Sequence, residues 1–344
     1  MLSRVQDDSR PGARVIKTKR RMRVPMLTAP GIFQTVEVPP PGTDLGREEV
    51  IVRVLAGGIC GSDAPFFRSA LALDGRSPAP PGAPLHEIAG EVVLSASADL
   101  VPGDSVVGWA TRFDGLADYV VTEASSLHAH QTALPPEEAV LMQPLACVLY
   151  AVERLGSVAG RTCAVLGLGP IGLLFCHILK RRGAARVVGV DRVDRSGIAS
   201  RFGVDDVVWA SSRHYAAEVA DRSRPDVIVE AVGHQVSTLQ DAVSAVGECG
   251  RIFYFGVPDD DIYPINMQRL IRSNLTLMSG GTLERPRVLA EAEQYLRQFP
   301  ELVGSLITHR FGRADVQRAF EVAVTPAAGR LKVVLCLDRT SEDS

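Results

Sequence analysis

Two hydrophobic textures divide this chain. Between residues 149 and 282, short apolar runs rich in β-branched residues alternate with segments of helical period. Residues 162–166 (Thr-Cys-Ala-Val-Leu) read as a buried strand. Residues 171–182 follow with a helical pattern, basic residues in the last turn, and Gly183 as C-cap. A second apolar strand over 186–190 ends at Asp191. Further strands are expected at 205–210, 226–232, 251–255 and 275–278, with helices at 215–221, 237–246 and 267–272. Six strands separated by helices are the count for a doubly wound parallel α/β sheet. Residues 23–130 differ. Short alternating runs such as 50–54 and 91–94 are broken by Pro and Gly turns, and Pro102-Gly103-Asp104 turns into a strand at 105–108. That pattern predicts small β-structure, closer to a barrel than to a layered sheet.

The turn after the first strand of the layered region is Gly167-Leu168-Gly169-Pro170-Ile171-Gly172. Gly167 suits a tight turn, Gly169 lets backbone approach a pyrophosphate, and Gly172 lets helix and strand pack closely. A phosphate at that helix N-terminus meets free N–H groups and the positive end of the dipole. Strand, glycine turn, helix, strand and acid in this order predict a dinucleotide site. Asp191 would accept the adenosine ribose hydroxyls and repel a 2′-phosphate, which favours NAD. Arg192 directly after it could take that phosphate, so NADP stays an alternative.

Upstream stand Cys60-Gly61-Ser62-Asp63 and His86-Glu87, residue types that can hold a metal and pass a proton. With 57–63, 86–92, 102–104, Gln143-Pro144-Leu145-Ala146, the glycine turn, 230–233 and 306–311, the chain resembles the medium-chain dehydrogenase/reductase superfamily. The resemblance is to its zinc-dependent alcohol and polyol dehydrogenase branch, and it runs from about residue 24 to residue 336. It implies a GroES-like, β-rich catalytic domain (23–148 and 283–344) around a six-stranded Rossmann domain (149–282); residues 1–22, with Ser, Asp, Pro and a basic cluster, read by composition as a flexible tail. It implies a catalytic zinc with Cys60 and His86 as ligands and Glu87 as a ligand or close neighbour. It also implies Ser62 as the hydroxyl that passes the proton and Asp63 as the carboxylate orienting His86. Val232, Gly233, Phe255 and Gly256, beside Pro170 and Ile171, would complete the cofactor site.

Two departures from the family stand out. Gln143 occupies the third ligand position, where relatives carry Glu, Asp or Cys, and a neutral amide is a poor zinc ligand. Three alternatives follow: Glu87 completes the set, Cys147 one helical turn later does so, or zinc is weak or lost. Leu85 stands where Gly usually precedes His-Glu. The six cysteines include no CxxC pair, so a four-cysteine structural zinc lobe is not expected.

The reading is an oxidoreductase exchanging hydride between NAD and a secondary alcohol or its carbonyl, with a polyol, sugar, cyclitol or biosynthetic intermediate as substrate. A zinc-free quinone or enoyl reductase and a catalytically impaired dinucleotide-binding protein compete with it. Phe66, Phe67, Trp109 and Phe113 are pocket candidates. His177 and the loop histidines, His234 among them, read as packed or solvated. At 344 residues, 46% hydrophobic and 22% charged, the chain has room for two domains. A net charge of −3 gives no basis for nucleic-acid binding. No run reaches the apolar length of a membrane span, and the N-terminus lacks an apolar h-region. Cysteine use suits a reducing cytoplasm, and the family resemblance implies a homodimer or homotetramer.

Overall fold

The computed structural model describes residues 21–71 and 77–338. The tail expected over 1–22 lies outside them, apart from Arg21 and from Met22, which opens the first strand.

Strands β1 (Met22–Ala29) and β2 (Ile32–Val38) form an antiparallel hairpin. Then come β3 (Glu49–Ile59), β4 (Glu87–Ser95), β5 (Ser105–Trp109), β6 (Tyr119–Glu123) and β7 (Leu127–Ala129). The layered region supplies β8 (Thr162–Leu166), β9 (Arg186–Asp191), β10 (Asp206–Trp209), β11 (Val227–Glu230), β12 (Arg251–Tyr254) and β13 (Thr276–Ser279). Last are β14 (Ile307–Gly312) and β15 (Lys332–Cys336).

Strands β8 to β13 form a wholly parallel sheet in the order β10-β9-β8-β11-β12-β13. The order reverses between β8 and β11, and such a switch point opens a crevice at the strands' C-terminal ends. Cys163, Ala164 and Val165 are all fully buried, because both faces of the sheet are covered. Helices Met142–Leu155 and Pro170–Arg181 belong to one apolar cluster, and Ser237–Ala245 belongs to the other. Burial on two sides explains why these strands read as continuous apolar runs instead of alternating ones.

The second sheet runs β14-β15-β3-β4-β5-β7, with β6 on β3. Strand β15 pairs antiparallel with β3, Val333 opposite Ile59, so the C-terminal residues return to the N-terminal sheet. Val50, Val52, Val54, Val92, Val106, Val333 and Leu335 share its core.

Two local expectations shift. The helix expected at 215–221 occupies Ser212–Glu218, because the Ser211 side chain accepts from His214 N–H and starts the helix early. The strand expected to reach residue 232 stops at Glu230, whose own carboxylate accepts the N–H groups of Val232 and Gly233 and turns the chain. Helix Met142–Leu155 is continuous across residues 148 and 149.

Candidate active site

Strand β3 carries the first half of the metal cluster. It ends at Ile59, and Cys60 leads into a single turn over Gly61–Asp63. Asp63 is fully buried and works in two directions. Its Oδ2 accepts from Cys60 N at 2.9 Å, and its Oδ1 lies 2.8 Å from His86 Nδ1. That contact fixes the imidazole and leaves the other ring nitrogen available as a ligand. His86 and Glu87 sit at the start of β4, with Glu87 paired opposite Gly58 and Trp109. The ligand atoms of Cys60, His86 and Glu87 lie within 4.8 Å of one another.

Gly58 makes this approach possible. A Cβ there would stand 2.2 Å from Glu87 Oε2. Gly57 does the same for Leu85: a Cβ would stand 2.3 Å from Leu85 Cδ2. The Leu85 side chain therefore packs into room that the glycine on the facing strand leaves open.

Charge in the cluster favours a cation. Burial lowers the basicity of His86, but Asp63 and Cys60 outweigh it and raise its pKa well above an ordinary histidine. Glu87 is fully buried. Its Oε2 is ion-paired with Lys332 Nζ at 2.5 Å, and Lys332 also donates to the Ile59 carbonyl at 3.0 Å. Glu87 Oε1 has no hydrogen-bond partner. A buried carboxylate oxygen left unpaired is costly unless something positive meets it. A cysteine, a histidine and a carboxylate brought this close are a zinc donor set, so the residues present fit the ion.

Gln143 lies at the start of helix Met142–Leu155 and is buried, with its Nε2 donating to Cys147 Sγ at 3.7 Å. Cys147 is not among the His, Cys, Asp and Glu side chains that converge with Cys60 and His86. Burial pushes the Cys147 thiol up to about 12.

A cleft of about 790 Å³ opens beside the cluster, lined by Ser62, His86, Phe66, Trp109, Phe113 and others. Phe67 is the exception among the aromatic candidates. It is buried against Phe33 and Phe320, with ring centroids 5.6 and 5.3 Å away, and belongs to the core. His234 is drawn into the cleft, with Nδ1 2.6 Å from Asp259 Oδ1. It sits in a loop with a polar partner, as read, and in addition lines the cleft. His177 is packed, as read, with its Nδ1 2.8 Å from Tyr295 Oη.

The dinucleotide candidates gather at the C-terminal ends of β8, β9, β11 and β12. Gly167 has φ +90°, the left-handed region open to glycine. Gly169 caps helix Pro170–Arg181, followed by Pro170, Ile171 and Gly172. Asp191 ends β9. Its Oδ2 accepts from Leu168 N at 2.6 Å and its Oδ1 from Val193 N at 2.7 Å, so the acid is tied to the glycine turn. Arg192 is exposed beside it. Val232 and Gly233 follow β11, and Phe255 and Gly256 follow β12. Phe255 packs edge-on against Phe175, with centroids 5.0 Å apart.

Sequence reasoning missed Lys332, Arg285, His234 and Asp259 as members of this region. Lys332 had one signal, a lysine opening an apolar run.

Residues 46–136 match the family described as "Alcohol dehydrogenase GroES-like domain", and residues 170–296 that described as "Zinc-binding dehydrogenase". D-altritol 5-dehydrogenase of Agrobacterium fabrum is 30% identical over 314 residues, covering 80% of this chain and 89% of that protein. L-threonine 3-dehydrogenase of Bacillus licheniformis is 24% identical over 336 residues, covering 88% of this chain and 94% of that protein. The crystal structure of 2R,3R-butanediol dehydrogenase from Bacillus subtilis superposes with a TM-score of 0.74 at 20% identity, over 92% of this chain and all of that one, which shows a shared fold. With both halves matched and the polyol enzyme aligned along most of its length, the chain belongs to the zinc-dependent medium-chain dehydrogenase/reductase superfamily and is sorbitol/polyol dehydrogenase-like.

Proposed function

We propose that this alcohol dehydrogenase interconverts a polyhydroxylated secondary alcohol and its ketone, using NAD and a zinc ion held by Cys60, His86 and Glu87. The observation that carries this reading is the convergence of the Cys60, His86 and buried Glu87 ligand atoms within 4.8 Å of one another, with Glu87 Oε1 lacking a hydrogen-bond partner. Zinc bound there would lower the pKa of the substrate hydroxyl and polarise the product carbonyl. NAD lying along the glycine turn would take up the hydride. The chain's own residues do the rest. Asp63 holds His86 in one tautomer and orientation. Ser62, on the cleft wall, receives the hydroxyl proton and passes it outward. Gln143 and Cys147 stay outside the donor set. Glu87 remains held by Lys332 through its other oxygen, so the charge of the set is balanced from two sides.

The catalytic unit would comprise residues 23–148 and 283–344 and the cofactor unit 149–282. Initial-rate assays of NADH formation on a panel of polyols and simple primary alcohols test the reading. Secondary polyols should lead. Reduction of enones without zinc, and no polyol oxidation, would replace this reading with that of a zinc-free reductase.

The cofactor preference rests on Asp191. Its carboxylate stands at the end of β9, where a ribose hydroxyl would reach it, and its charge disfavours a 2′-phosphate. Asp191→Ala should weaken NAD binding and shift the NAD:NADP affinity ratio toward NADP by about 10- to 100-fold. Calorimetry on both cofactors measures this. A wild-type protein that binds NADP more tightly than NAD sinks the assignment.

We also propose a homo-oligomer, a homodimer or homotetramer in the cytoplasm. Strand β13 is the last strand of its sheet, and Met267, Ile271 and Leu277 around it are exposed apolar side chains. An open edge flanked by apolar groups favours pairing with a second copy, and a monomer in sedimentation equilibrium would contradict it. No helix among the described residues is long and apolar enough to cross a membrane.

A further inference from the structure

We propose that the alcohol this enzyme turns over carries an anionic group, a carboxylate or a phosphate, and that Arg285 binds it. The proposal rests on the dehydrogenase reading above and adds the substrate's charge. Arg285 opens helix Arg285–Gln298 and lines the cleft together with Ser62, His86 and Trp109. Two contacts hold its guanidinium in place. Its central carbon lies 5.0 Å from the Trp109 ring centroid, and Nη1 donates to Ser126 Oγ at 2.7 Å. Among the described residues, no carboxylate lies within 4.0 Å of it.

Two nearby arginines are paired. Arg287, two residues on, pairs with Glu284 at 2.6 Å and Glu153 at 2.8 Å. Arg112, next to the cleft residue Thr111, pairs with Glu49 at 2.9 Å. Of the acids on the cleft wall, Asp259 is taken up by His234, and Glu123 is exposed. A guanidinium has five N–H donors in a rigid fork, and one of them is used here. A half-buried cation stacked on an aromatic face and lacking a counter-ion is prepared for a bidentate anion. Neutral hydroxyls would need no such charge.

Arg285 shares one cleft with Ser62 and His86, the latter a member of the metal group. One substrate can therefore span both. Its secondary hydroxyl would lie at the Cys60–His86–Glu87 cluster and its anion on Arg285. The anion takes no part in the chemistry. The C–H hydride goes to NAD, the O–H proton leaves through Ser62, and the carbon is oxidised to the ketone.

The test uses the full-length enzyme with NADH bound and reads binding without turnover. The chain has two tryptophans, Trp109 and Trp209. In a Trp209→Phe background the emission of Trp109, stacked on Arg285, reports occupancy. Sorbitol, gluconate and sorbitol phosphate are the probes. The two anions distinguish carboxylate from phosphate. At least one should bind about 10- to 100-fold more tightly than sorbitol, the range of a charge-assisted pair. Arg285→Gln should erase that advantage, and Arg285→Lys should restore part of it. Raising the ionic strength should shrink it in the unmutated site, which needs no variant at all.

Equal binding of all three probes overturns the proposal. So does an Arg285→Gln protein that loses NADH affinity to the same degree, because the arginine would then serve the cofactor. An anion preference without any alcohol oxidation leaves the binding site standing and removes the dehydrogenase reading instead.

Discussion

Replacing His86 by Ala should empty the metal site and lower kcat/KM by about 1000-fold or more, since the Lewis-acid contribution is worth several kcal/mol and each 1.36 kcal/mol is a factor of ten. Cys60→Ser should do nearly the same, because a hydroxyl does not ionise at neutral pH as a thiol can. Asp63→Asn is the graded companion. It keeps the shape but loses the charge that orients His86 at 2.8 Å. A loss of about 10- to 100-fold is expected, the usual effect of removing an outer partner of a metal-bound histidine. Steady-state kinetics with circular dichroism as a folding control measures the series. A His86→Ala protein with full activity and intact fold would show that the cluster is not the reaction centre.

The second large effect is expected at Gly172. A Cβ there would stand 1.7 Å from the Gly167 carbonyl oxygen. The obstacle is backbone, so no side-chain rotation relieves it. Helix Pro170–Arg181 would have to move off β8 and break the turn that precedes it. Gly172→Ala should therefore destabilise the fold by about 1–3 kcal/mol or more, as overpacking does, and abolish measurable NAD binding. Gly169 is the control. A Cβ there meets nothing within 4 Å in the chain itself. Gly169→Ala should keep the wild-type melting temperature and still weaken NAD, because the methyl would occupy the pyrophosphate's approach. Thermal melts paired with NAD calorimetry separate the two. Equal melting behaviour in both variants would mean that the glycine turn tolerates a side chain it has no room for.

Much of the fold was legible because its signals are local. The strands and helices between residues 162 and 279 announce themselves by period and by glycine turns, and the parallel order follows from alternation. The β-rich half was readable as a class, but its strand partners were not. Nothing near residue 59 says that Val333 will lie opposite it. The site divided in the same way. Cys60, Ser62, His86 and Glu87 stand in short recognisable segments. Lys332 reaches Glu87 from the far end of the chain, and Arg285 reaches Trp109 across the interval containing the whole parallel sheet. Those contacts depend on the fold closing, and no spacing encodes them. His234 shows the limit most clearly. Its left-handed φ of +51° and its partner Asp259 belong to two different loops. The room for Leu85 is likewise invisible in the sequence, because it comes from Gly57 on the facing strand.

The central claim is that Glu87, and neither Gln143 nor Cys147, completes the metal set. Zinc content by elemental analysis of the purified wild-type, Glu87→Gln, Gln143→Ala and Cys147→Ala proteins tests it directly. About one zinc per chain is predicted for the wild type. Glu87→Gln should lose it, while Gln143→Ala and Cys147→Ala should retain it with unchanged circular dichroism. Zinc retained by Glu87→Gln and lost from Gln143→Ala or Cys147→Ala would contradict the account and move the third ligand onto helix Met142–Leu155.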